Sequence, residues 1–128
     1  MKIEYRKIQQ YKYQLTNTAT IFTPIKGQTV SHEYFALWET GQLFGFRTYC
    51  WDGSSWSLDN KSIRASLFHD IGYQMIRDGL LGMEYRETFD RLYRDVCIED
   101  GLWEWHANLR YFMLRKFAKG AAKGKDKG

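Results

Sequence analysis

Several residue types are scarce in this 128-residue chain, and each scarcity excludes a class of protein. The single proline, Pro24, excludes collagen-like and proline-rich chains. No apolar run approaches the roughly 18 residues that a membrane-spanning helix needs. The first residues also lack the apolar segment of a secretory signal peptide. We therefore expect neither a transmembrane segment nor signal-directed secretion.

Cysteine is equally rare, with only Cys50 and Cys97 in the chain. The two residues lie far apart and form no Cys-x-x-Cys or Cys/His ligand spacing, so zinc and redox motifs are not predicted. Two lone thiols fit a reducing compartment, in which we expect both to act as small, buried apolar groups.

Positive charge is concentrated in one short segment. The net charge is +4, and residues 116–128 carry five Lys and one Asp, so the preceding 115 residues are neutral. Without a basic body we expect no specific nucleic-acid binding. Residues 120–128 are predicted to be a disordered basic tail that could contact an anionic surface or membrane lipid.

Residues 1–57 have the pattern of strands and turns. Tyr11, Tyr13 and Leu15 alternate with polar residues, which is typical of a half-buried strand. Two apolar segments flank residues 39–42, which predicts a hairpin with Gly41 at positive φ. Residues 51–55 contain an Asp-Gly pair and predict a loop.

Residues 58–119 predict three helices, at about 60–80, 84–99 and 102–117. The third is apolar over a wide arc that includes Trp105, Leu109 and Phe112, so we expect it to be buried on more than one side. The predicted fold class is α+β: a small antiparallel β layer packed on a three-helix unit, with residues 1–119 as a single domain. The short connection predicts that the first two helices are antiparallel neighbours.

One polar cluster stands out on the first predicted helix. His69 shares an apolar strip with Tyr73, and Asp90 lies at the edge of the apolar stripe of the second helix. If the two helices are antiparallel, the imidazole and the carboxylate can meet. The carboxylate would then fix one ring nitrogen and leave the other as a base. The same contact could equally be a structural cross-link between two helices.

Residues 47–118 resemble a phage and prophage family known only as a domain of unknown function. The matching segments, in order, are Trp51-Asp52-Gly53, Arg64-Ala65-Ser66-Leu67, His69-Asp70, Tyr73, Gly79-Leu80-Leu81, Arg86, Asp90 and Glu99-Asp100-Gly101. The resemblance implies a viral origin. It leads us to expect a small virion-associated, tail-associated or accessory protein, located in the virion or host cytoplasm. Its partners would be other virion proteins, and its His-Asp-Tyr cluster would be structural.

A second resemblance suggests an alternative function. The His-Asp-x-x-Tyr helix, followed by an Asp on the next helix, is similar to phospholipase A2, and most of all to its disulfide-free parvoviral form. The resemblance implies a calcium-dependent lipid esterase in which His69 activates water, Asp90 orients His69, and Tyr73 braces Asp90. Asp70 would hold Ca²⁺ together with backbone carbonyls of Trp51, Gly53 and Ser55, and the ion would stabilise the oxyanion. That family has a Gly-rich calcium loop, whereas the matching loop here contains only Gly53.

Overall fold

The computed structural model describes residues 2–9, 12–53 and 60–123, and it has the α+β architecture that the sequence predicts. Two small antiparallel sheets precede a group of helices. The described residues form the strands β1 (Tyr5–Gln9), β2 (Lys12–Leu15), β3 (Ala19–Phe22), β4 (Val30–Ser31), β5 (Phe35–Leu37), β6 (Gln42–Gly45) and β7 (Cys50–Asp52).

The first sheet has the strand order β1-β2-β7 and includes part of the segment predicted to be a loop. Trp51 and Asp52 belong to β7, where they pair with Tyr13 and Lys12 of β2. The indole of Trp51 is buried, and its Nε1 donates a hydrogen bond of 3.0 Å to Ser66 Oγ. An aromatic side chain that can be buried on a pleated surface favours a strand, and this outweighs the turn signal that follows it. Residues 54 and 55 lie outside the described residues.

The second sheet has the order β3-β6-β5-β4 and contains the predicted hairpin. Gly41 lies between β5 and β6 with φ +98°, as the sequence predicts. A side chain at this position would collide with the Thr23 carbonyl oxygen. Both the backbone conformation and the close approach therefore require glycine.

Three longer helices and one short helix follow the strands: α1 (Ile63–Arg77), α2 (Arg86–Glu99), α3 (Glu104–Phe117) and α4 (Lys119–Ala122). Short 3₁₀ turns at Asn60–Ser62 and Met83–Tyr85 lead into α1 and α2. None of the helices within the described residues is long and apolar enough to cross a membrane.

The three predicted helices each begin two or three residues later than predicted, α1 also ends earlier, and a fourth helix follows. Helix α1 ends at Arg77, three residues before the predicted end at Leu80, and Gly79 follows with φ +78°. Helix α4 lies where the basic tail was predicted to begin. Ala122 is buried, and Arg77 Nη1 donates a hydrogen bond of 3.1 Å to the Ala121 carbonyl. This contact with α1 extends the ordered fold beyond residue 119, while residues 124–128 of the predicted tail lie outside the described residues.

Helix α1 is the centre of the molecule because both hydrophobic clusters contact it. The larger cluster joins α1 to both sheets, and the smaller one joins α1 to α2 and α3. Gly72 allows the close contact between α1 and α2, because a Cβ there would overlap the ring of Phe89. The principal members of the larger cluster are Leu15, Phe35, Leu37, Leu43, Leu67, Phe68, Ile71 and Met75.

Helices α1 and α2 run antiparallel, as predicted. Contacts pair the start of α1 with the end of α2: Arg64 Nη2 lies 2.9 Å from Asp100 Oδ1. Further along α1 the partner residues fall earlier in α2, from His69 with Asp90 to Tyr73 with Arg86. The antiparallel arrangement therefore brings the residues of the predicted polar cluster together.

The prediction that α3 is buried on more than one side is wrong. Trp105, Leu109 and Phe112 share one side of the helix and are 63%, 51% and 57% exposed. The opposite side packs inward through Ala107 and Leu114 in the smaller cluster. A helix at the edge of a small domain has one face in contact with the core, and here its second apolar face remains accessible.

The expectation for the two thiols is half wrong. Cys97 is buried in the smaller cluster, but Cys50 is exposed at the start of β7. Successive residues of a strand face opposite sides, so the burial of Trp51 in the larger cluster directs its neighbour Cys50 outward.

Candidate functional site

The carboxylate of Asp90 is the centre of a hydrogen-bond network that joins three helices. His69 Nε2 and the Tyr73 hydroxyl, both on α1, lie 2.7 and 2.6 Å from Asp90 Oδ1. Arg115 Nη1 on α3 donates a bond of 2.8 Å to Asp90 Oδ2. The Asp90 side chain is 0% exposed, so it is buried between the helices rather than placed at the edge of a stripe.

The surroundings of Asp90 keep it ionised. Burial by itself raises the pKa of a carboxyl group, but the hydrogen bonds from His69, Tyr73 and Arg115 outweigh this effect, and the pKa of Asp90 lies below its usual value. An ionised carboxylate has no proton to donate. The proton in the short contact therefore belongs to His69 Nε2, and in the neutral ring the lone pair is on Nδ1.

Arg86 connects this network to the end of α3. Its Nε donates to the Tyr73 hydroxyl at 3.0 Å, and its Nη2 donates to the carbonyls of Leu114 and Arg115 at 2.6 and 3.1 Å. The guanidinium is buried, so these contacts satisfy a charge that would otherwise be costly inside the domain. Burial and the nearby Asp90 carboxylate raise the pKa of Tyr73, so its hydroxyl stays protonated and donates to Asp90.

The imidazole of His69 is partly exposed to solvent. The imidazole lies 4.1 Å from the ring of Tyr73 and 5.5 Å from that of Tyr93, measured between ring centroids, and its side chain is 14% exposed. No described residue forms a hydrogen bond with Nδ1. The 14% exposure of the side chain leaves the ring partly open to solvent. A carboxylate-bound imidazole with an open second nitrogen is the arrangement of a general base.

Asp70 faces the other side of α1, away from the Asp90 network. The Tyr49 hydroxyl donates a bond of 2.8 Å to Asp70 Oδ2, and burial raises the pKa of Asp70. Asp70 lines an open cleft of about 340 Å³ together with Lys12, Asp52 and Arg77. Both signs of charge therefore meet at this cleft, and His69 does not line it.

The described residues around Asp70 do not fit the calcium site that the phospholipase A2 resemblance implies. Calcium is usually bound by six to eight oxygen atoms. Here Lys12 and Arg77 place two cations at the cleft, and Trp51 lies in a paired strand rather than in a loop that turns carbonyls inward. Gly53 follows β7, and Ser55 lies outside the described residues. Among the residues described, no group of three His, Cys, Asp or Glu side chains could hold a metal ion.

The sequence reasoning did not assign Arg115 or Tyr49 to the site, and it gave Arg86 no part in a buried network. Arg115 lies 25 positions after its partner Asp90, and Tyr49 lies 21 positions before its partner Asp70, so neither pair consists of sequence neighbours. A signal was available in the second helix, where Arg86 occupies the inward face, one turn before Asp90. An arginine on an inward face indicates a buried acceptor, because the guanidinium cannot lose its charge.

No family model, curated protein or solved structure matches this chain.

Proposed function

We propose that the chain is a hydrolase in which His69 is the general base, Asp90 is its orienting residue and Tyr73 braces Asp90. The observation that carries this proposal is the 2.7 Å contact between His69 Nε2 and Asp90 Oδ1, combined with the partial exposure of the His69 side chain and the lack of a partner for Nδ1 among the described residues. A purely structural histidine would be expected to have both nitrogens bonded and closed off.

In the proposed reaction, His69 Nδ1 takes a proton from water while the resulting hydroxide attacks an ester carbonyl. The tetrahedral intermediate then collapses, and the imidazolium returns the proton to the departing alkoxide, which yields an acid and an alcohol. Asp90 stabilises the imidazolium, and Arg115 keeps Asp90 ionised through the cycle. The resemblance to phospholipase A2 supports a lipid ester as substrate. No step is assigned to calcium, because the described residues do not fit it.

The test is ester hydrolysis by the wild type and by His69→Gln. The glutamine amide can still donate to Asp90, so the fold should be kept, but it cannot accept a proton from water. We expect a loss of about 10²–10⁴-fold in rate, with a melting temperature close to that of the wild type. Both a soluble p-nitrophenyl ester and phospholipid vesicles should be assayed, because the first reports chemistry alone.

The matched control is His106→Gln. His106 lies on α3 and accepts a weak contact of 3.4 Å from Arg110, and it is not among the described partners of Asp90. Its substitution should leave the rate unchanged. The proposal fails if His69→Gln retains the wild-type rate or if the wild type hydrolyses neither ester.

A second candidate function is a structural virion-associated, tail-associated or accessory protein of a phage. The observation that favours it is the complete burial of Asp90, whose carboxylate is satisfied by donors from two other helices. Its location would be the virion or the host cytoplasm, and its partners would be other virion proteins. In this case neither the wild type nor His69→Gln would hydrolyse either ester.

A further inference from the structure

The exposed side of α3 carries an apolar stripe that ends in a basic segment. The α3 stripe consists of Trp105, Leu109, Phe112 and Lys116, which follow one another at spacings of four, three and four residues and so share one face of the helix. Trp103 and Phe117 extend it at either end, and both are exposed. The exposed apolar area is on the order of 500 Å², which is comparable with the largest apolar patch of a typical monomer, a patch that is often functional.

The charge around the α3 stripe has one predominant sign. Lys116 Nζ lies 5.8 Å from the centre of the Phe112 ring and 5.6 Å from that of Phe117, so a cation sits within the apolar patch itself. Lys119 and Lys123 follow and are also exposed. Glu104 is the one acidic residue of α3.

These features favour a bilayer over a protein as the occupant. Protein interfaces are rich in aromatic residues but poor in lysine, because burial of an ammonium needs an acidic partner. At a lipid surface the stem of Lys116 can lie along the rings while its ammonium reaches the headgroups. Tryptophan and phenylalanine on one face, with lysine beside them, are typical of a helix that lies in the membrane interface.

We propose that the α3 stripe binds the surface of an anionic lipid bilayer, with Trp105 and Phe112 inserted at the headgroup level and Lys116 and Lys119 facing acidic headgroups. This inference does not depend on the proposed hydrolysis, because it rests on the residues of the α3 stripe and not on His69, Tyr73 or Asp90. Vesicle binding is expected to survive in His69→Gln, and hydrolysis of a soluble ester is expected to survive in a stripe variant.

The test is cosedimentation of the full chain with phosphatidylcholine vesicles that contain or lack phosphatidylglycerol. We expect binding to the anionic vesicles that weakens as salt is added. The double variant Trp105→Ser/Phe112→Ser should bind at least about tenfold more weakly. Each of Lys116→Glu and Lys119→Glu should weaken binding about fivefold or more. Because these side chains point outward, the melting temperatures should match the wild type.

The matched control is Trp38→Ser, which removes a half-exposed tryptophan next to the β5–β6 hairpin. This variant should bind anionic vesicles as the wild type does. The proposal would be overturned if Trp105→Ser/Phe112→Ser bound anionic vesicles as tightly as the wild type. It would also be overturned if the wild type bound neither kind of vesicle. A dimer in solution that the stripe variant converts to a monomer, without vesicle binding, would instead identify the stripe as a contact between two copies of this chain.

Discussion

The buried carboxylate of Asp90 gives the sharpest test of the structure, through the substitution Asp90→Asn. The change keeps the size of the side chain but replaces one acceptor oxygen with an NH₂ group that can only donate. His69, Tyr73 and Arg115 all present donors to this carboxylate, so at least one donor would face another donor. The loss should therefore exceed that of a single hydrogen bond.

The expected magnitude follows from which donors can turn to water. Breaking a fully buried ion pair costs about 3–5 kcal/mol. The side chain of Arg115 is 32% exposed and can be re-solvated, whereas the Tyr73 side chain is buried and cannot. We therefore expect Asp90→Asn to lower the free energy of unfolding by about 3 kcal/mol, the lower end of that range. For a chain of this length it corresponds to a fall in Tm on the order of 10 °C.

Urea unfolding at two pH values would check both the size and the cause of the effect. The pKa of Asp90 is lowered in the fold, so its contribution is fully present above the unfolded-state pKa of about 3.9. The contribution is lost as the pH falls through the lower pKa of the folded state. The difference between wild type and Asp90→Asn should therefore be largest near neutral pH and narrow in acid.

The control is Glu87→Gln on the same helix. Glu87 is exposed and forms surface contacts with Arg91 and Tyr111, so its loss should change the stability little. A loss below about 1 kcal/mol for Asp90→Asn, or a loss equal to that of Glu87→Gln, would refute the reasoning that Asp90 is a buried anion held by three donors.

Four further predictions concern other parts of the molecule. Gly72→Ala should cost about 1–3 kcal/mol by urea unfolding, because a methyl group overlaps the ring that α2 packs there, whereas Gly120→Ala, which meets open space, should cost nothing. A thiol reagent should modify only Cys50 in the native protein, since burial raises the pKa of Cys97 to about 11; two equally fast thiols would contradict this. Burial raises the pKa of Asp70 in the fold, so the wild type loses stability as the pH rises from the unfolded-state pKa of Asp through the higher folded-state pKa. Asp70→Asn should therefore raise Tm at neutral pH, but not at a pH below the unfolded-state pKa. Calorimetric titration with calcium should give the same result for the wild type and for Asp70→Asn.

Much of the fold could be predicted from local patterns, which act over a few residues. The positive φ of Gly41 and the antiparallel pairing of α1 and α2 both follow from short segments of sequence. The meeting of His69 and Asp90 follows from that pairing, because both side chains lie on facing sides of adjacent helices.

The sequence predictions were wrong or incomplete where the burial of a residue depends on which elements pack against each other. Hydrophobic periodicity identified the apolar residues of α3, but it does not state whether a second surface covers Leu109 and Phe112. The turn signal at Asp52-Gly53 was outweighed by the burial of Trp51 against α1. Arg115 reaches Asp90 only after α3 has docked, a contact across 25 positions that no spacing rule contains.

The contacts among Arg86, Tyr73, Asp90 and Arg115 have a consequence for how this sequence can change. Each of the four side chains depends on another of them for a hydrogen bond, so the free energies of their substitutions should not add. A replacement at one position alters which residue is best at the other three. Sequence variation at this junction is therefore expected to proceed in sets, whereas the exposed face of α3 can vary one residue at a time without loss of the fold.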